Sequence, residues 1–177
     1  MSAGRLGRRL TALATLLTLG AAGVPPEEAA QEVAGLFVQA CIANAGSADA
    51  IAEWAERAAL PTLPDAGQAA FLRGRAGHVW DATNEAGGKM VLIGLADGSC
   101  QASAPAVPPA TVAMALEADL DRVGIEAAAI ERRDPVTPRL VIRAWSARRG
   151  ARVWELLLNA APTDPTAPIL LTATRIR

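Results

Sequence analysis

The sequence predicts an α+β fold with helices first and an antiparallel sheet after them. Two observations carry this. The apolar residues recur with a period of 3.6 as far as about Ala59, and with a period of 2 from Ala76 onward. The strand-like runs are joined by short turns, broken once by a helical stretch, which excludes alternating βαβ units. A third feature sets the address: a basic and then apolar leader precedes a chain that keeps two cysteines.

In chain order, Arg5, Arg8 and Arg9 are followed by the apolar run Leu10 to Ala22, then Gly23 and Pro25-Pro26. A positive start, a short apolar stretch, small residues and a helix-breaking proline pair make the pattern of a signal peptide, residues 1–23. The run is too short for a bilayer core of ~30 Å, so no membrane span is expected after cleavage. The Arg8-Arg9 pair also suits a twin-arginine route, but Thr11 and Ala12 stand where that signal prefers large apolar residues. Residues 24–177 then form a single α+β domain, a size that supports one core.

Glu27 to Asn44 reads as a helix with Val33, Leu36, Phe37, Ala40 and Cys41 on its apolar stripe. Gly46-Ser47 breaks it. A second helix runs from about Asp49 to Ala59 and stops before Pro61 and Pro64. Asp65 and Gln68 have capping-box spacing ahead of a short helical turn through Leu72. Strands follow at Ala76–Thr83, Lys89–Ala96 and Ser99–Ala104, separated by the Gly-rich turn Asn84–Gly88 and by the hairpin dipeptide Asp97-Gly98. After the linker Pro105–Pro109, Thr111 suits the cap of a helix striped by Val112, Leu116, Leu120 and Val123 and closed by Gly124. Glu117 and Asp121 fall on its outer, solvated side. Four more strands are expected near 125–132, 139–147, 151–160 and 169–176, with turns at Asp134-Pro135, Arg148–Gly150 and Pro162–Pro165. The order is two N-terminal helices and then βββ-α-ββββ, which by analogy also admits a profilin-like arrangement.

Cys41 and Cys100 are an even pair in a chain with an export signal, and are read first as a disulfide. The alternatives are two buried thiols, a metal site short of ligands, or a catalytic thiol without a visible base. Charge is unevenly spread. Residues 132–177 carry nine arginines against Asp134, Glu155 and Asp164, whereas residues 24–131 carry five basic side chains against fifteen acidic ones. That polarity serves either internal complementarity or an anion-facing surface.

The most specific site expectation concerns the hairpin around Arg148-Arg149. Pairing Ala147 with Gly150 across that turn sets Trp145 opposite Arg152 and Arg143 opposite Trp154, all on one face. Such a face makes a basic-aromatic platform for an anionic cell-envelope component or another protein. The plainer reading is that these pairs cap a packed sheet, since Val141, Leu156 and Leu158 share the face. Catalysis has little to stand on. His78 is the only histidine, alternating with Trp80, and a general base needs an oriented partner and a nucleophile within reach. No phosphate loop, nucleophile elbow or metal-ligand spacing occurs, so no cofactor and no metal are expected. The overall acidity and the export signal argue against nucleic acid.

Gly77-x-Val-Trp80, an apolar strand, Asp97-Gly-x-Cys100 and an upstream helical Cys41 together resemble small exported bacterial proteins of unknown function. The resemblance implies an extracytoplasmic α+β domain and transfers no catalytic residue. The leading expectation is a non-enzymatic periplasmic or secreted binding or assembly module that works through an exposed edge or face of its sheet. The rivals are an enzyme centred on His78 and a structural or inhibitor-like envelope protein.

Overall fold

The computed structural model describes residues 24–84, 88–105, 107–131, 141–161 and 167–177, with backbone alone at 141 and 142. The expected signal peptide, the expected Asp134-Pro135 and Pro162–Pro165 turns and the expected start of a strand at Arg139 lie outside these residues. So does part of the Asn84–Gly88 turn.

The fold is α+β, as the change of period requires. Helix α1 (Pro26–Leu36) continues into a π-helical segment, Phe37–Ile42. The wider turn of that segment rotates extra residues inward, so that Phe37, Val38, Ala40, Cys41 and Ile42 are all buried. Helix α2 (Ala48–Arg57) starts on Ser47, whose hydroxyl accepts from the Ala50 N–H at 3.2 Å. In α3 (Asp65–Leu72) the expected capping box is absent. Pro64 takes the cap position, and Gln68 Nε2 reaches back to the Leu63 carbonyl at 3.1 Å. Helix α4 (Pro109–Arg122) likewise begins earlier than Thr111, with a proline in its first turn where no N–H is needed.

The strands are β1 (Gly77–Asp81), β2 (Val91–Leu95), β3 (Cys100–Ala104), β4 (Glu126–Ile130), β5 (Val141–Arg149), β6 (Arg152–Asn159) and β7 (Ile169–Arg175). All pair antiparallel in one sheet of order β1-β2-β3-β7-β6-β5-β4. Two meanders therefore meet at β3 and β7. The chain leaves β3, crosses through α4 to the far edge, and returns strand by strand to pair β7 with β3.

Alternation sorts the two faces. Leu92, Ala102, Leu171, Leu156, Leu158 and Trp145 point into the main core beneath α1, the π segment, α2 and α4. Val79, Ile93 and Leu95 point the other way, into a smaller cluster closed by Phe71 and Leu72 at the end of α3. Gly94 makes the seat for α2. A Cβ there would meet Ile51 Cγ2 at 2.9 Å and the Trp80 ring at 3.1 Å. Cys41 and Cys100 form the expected disulfide, joining the π segment to β3 across 59 positions of sequence.

Candidate functional site: a free edge and an arginine end

The hairpin that carries the platform residues is registered differently from expectation. Arg149 pairs with Arg152, Ala147 with Trp154, Trp145 with Leu156 and Arg143 with Leu158. The two-residue loop is Gly150-Ala151, and Gly150 has φ +61°. Tight hairpin turns need positive φ at their first loop residue, which Arg148 would adopt only with strain and Gly150 adopts freely. The turn therefore moves onto the glycine. The displacement is even, so each side chain keeps the face that alternation assigned to it.

That face is the covered one. Trp145 is 1% exposed and Trp154 2% exposed, so neither offers a ring to a ligand. The aromatic part of the platform is core. Trp145 Nε1 donates to Glu117 Oε1 of α4 at 3.0 Å, and Arg143 Nη1 donates to the same oxygen at 3.2 Å. Glu117, expected to be merely solvated, thus clasps α4 to β5. Trp154 Nε1 is buried with no partner among the described residues. Arg152 is exposed at the hairpin tip, directly opposite Arg149.

His78 is exposed on β1, its ring centroid 5.9 Å from that of Trp80. Among the described residues no three His, Cys, Asp or Glu side chains converge as a metal site. None of the described helices is long and apolar enough to cross a membrane. Asp81, at the end of β1, is held below the usual carboxylate range by hydrogen bonds from the Thr83 hydroxyl and the Thr83 N–H.

Two surfaces remain; the sequence showed the basic character of the second, as nine arginines over residues 132–177, but not where in the fold either lies. The first is an edge. The outer side of β1 is covered by the segment before α3: Leu63 N–H donates to the Val79 carbonyl at 2.9 Å and Asp81 N–H to the Pro61 carbonyl at 2.8 Å. Strand β4, at the other edge, pairs with β5 alone among the described residues, and all five of its residues, Glu-Ala-Ala-Ala-Ile, are exposed. Its signal in the sequence was the run of small residues, which carries little β propensity of its own.

The second surface is the end of the sheet where the β5–β6 hairpin turns. Arg148, Arg149 and Arg152 stand there beside Arg175 at the end of β7, Arg177 just after it and Arg122 at the end of α4, all exposed. Arg148 is paired with Glu126 at 2.6 Å, and Arg122 is bound to the buried Asp119. A cleft of ≈ 260 Å³ lies between Gly124, Glu126 and the hairpin tip.

Comparison with family models, with curated proteins and with solved structures finds no match for this chain.

Proposed function

We propose that this protein is an exported, non-catalytic binding or assembly module, and that it engages a partner protein by accepting an extended segment along β4. The observation that carries the reading is the asymmetry of the sheet edges: one is occupied by the chain's own Pro61–Leu63, whereas the other has no strand partner among the described residues along five exposed positions. An unpaired edge presents a row of backbone N–H and C=O groups that a partner strand satisfies. Three consecutive alanines present no bulk against such a partner. The leader of residues 1–23 supplies the export, and the Cys41–Cys100 disulfide suits the oxidising compartment to which it leads.

The test places a photo-crosslinking side chain at Ala128 in β4 and, as a control, at exposed Ala69 on α3, in cells that export the protein. The expected result is one discrete protein adduct from position 128 and none from 69. An Ile130→Lys change beside the crosslinker should abolish the adduct, since a charged edge opposes strand pairing. The reading fails if both positions give the same adducts, or if the protein stays in the cytoplasm with residues 1–23 attached.

A further inference from the structure

The arginine end goes beyond this reading, because it is a different surface from the β4 edge. Its composition is unusual in two respects. First, Arg149 and Arg152 face each other across the hairpin, and neither has an ion-pair partner among the described residues. Like charges directly opposite on a two-stranded ladder oppose each other, so this pair costs the isolated protein and gains from an anion. Registry extends the row. Arg148 lies against Glu126 of β4, and Trp154 of β6 against Arg175 of β7. The basic row therefore spans three neighbouring strands, β5, β6 and β7, roughly 10 Å at ~4.8 Å per strand. The carboxylates close to it are partly spent: Glu126 on Arg148 and Asp119 on Arg122, leaving Asp121 as the exposed acid on the last turn of α4.

Second, two of the exposed large apolar side chains stand at this same end. Ile176 is 59% exposed just past β7, between Arg175 and Arg177, and Val123 is 36% exposed just past Arg122. A soluble polyanion is recognised by charge alone and has no use for bare isoleucine and valine. A lipid surface uses both, phosphate groups for the arginines and the headgroup–acyl boundary for the apolar tips.

We propose that this end of the sheet docks reversibly onto an anionic phospholipid surface, through Arg149, Arg152, Arg175 and Arg177 with Ile176 and Val123 as shallow apolar contacts. The domain lies against the membrane without crossing it, and β4 stays free at the side.

Flotation of the full chain with vesicles tests this, using phosphatidylglycerol–phosphatidylcholine mixtures and pure phosphatidylcholine. Residues 1–23 are common to every variant, so the comparison among variants isolates the sheet end. Arg149→Gln with Arg152→Gln should weaken binding to anionic vesicles by roughly twenty-fold. Arg57→Gln with Arg143→Gln, the same change in net charge placed elsewhere, should change it less than two-fold. Ile176→Ser should remove the part of the binding that persists at high salt, where charge is screened. Equal losses from the two arginine pairs would overturn the proposal, as would vesicle binding that the hairpin pair leaves unchanged. So would complete displacement by inorganic phosphate or polyphosphate together with an unaffected Ile176→Ser variant, which assigns the arginines to a soluble anion. None of these results bears on crosslinking from Ala128, so this inference and the edge reading stand or fall separately.

Discussion

Trp145 and Trp154 lie on neighbouring strands of one face and differ in the fate of a single N–H. Trp145 gives its hydrogen to Glu117, whereas Trp154 buries its own without an acceptor among the described residues. A hydrogen bond to a charged group contributes about 1.5–3 kcal/mol, and a buried unsatisfied donor costs about 1–3 kcal/mol. Replacement by Phe trims both rings alike, so the difference between the two variants isolates the N–H. Trp145→Phe should be the more destabilising by at least about 1 kcal/mol, read from urea midpoints. Equal losses would mean that Glu117 holds α4 through Arg143 alone. At this scale the sequence was informative about alternation and silent about cover. That Arg143, Trp145, Arg152 and Trp154 share a face follows from strand geometry. Whether the face meets solvent depends on where α4 crosses, and no local pattern encodes that crossing.

The β5–β6 hairpin is where local chemistry decides between registers. Each described strand overlaps a stretch that the sequence marked, and the Asp97-Gly98 turn formed where expected: Gly98 has φ +82° and Asp97 Oδ1 accepts from the Ser99 N–H at 2.8 Å. The second hairpin turns two positions beyond the conspicuous Arg148-Arg149 pair, on Gly150-Ala151, because Gly150 takes the positive φ the turn requires. Gly150→Ala should therefore destabilise by about 1 kcal/mol, since alanine strains at positive φ. Ala151→Gly, at the other loop position, should lose only the entropy of a freer unfolded chain. Thermal melts of the two variants measure the contrast, and similar midpoints would reject the turn as drawn. The edge strands show the converse limit. The run Glu126-Ala-Ala-Ala-Ile130 has weak propensity, and its place at the border of the sheet comes from the topology of β5 beside it.

Over the whole molecule, charge and covalent linkage are distributed in opposite senses. Arginines collect where the second meander turns, while Glu27, Glu28 and Glu32 lie on α1 at the start of the domain. The even pair of cysteines, read from the sequence as a bridge, ties the helical layer to the first meander and leaves the second without a crosslink. Constraining a loop of this length stabilises by up to roughly 4 kcal/mol in the chain-entropy account. Reduction should accordingly lower the urea midpoint substantially, and the basal fold of a Cys41→Ala, Cys100→Ala variant should show the same shift without reductant. An unchanged midpoint in both would make the bridge incidental to stability.

The same bridge has a bearing on what proteolysis does to the domain. Helices α2 and α3 and strands β1 and β2 all lie between Cys41 and Cys100, so a protease that severs any one peptide bond there produces two polypeptides but not two molecules. The pieces stay tethered through sulfur and held by the sheet, with the β4 border and the arginine tip outside the cut region altogether. Such a domain can be clipped by the enzymes of its surroundings and still present both surfaces intact.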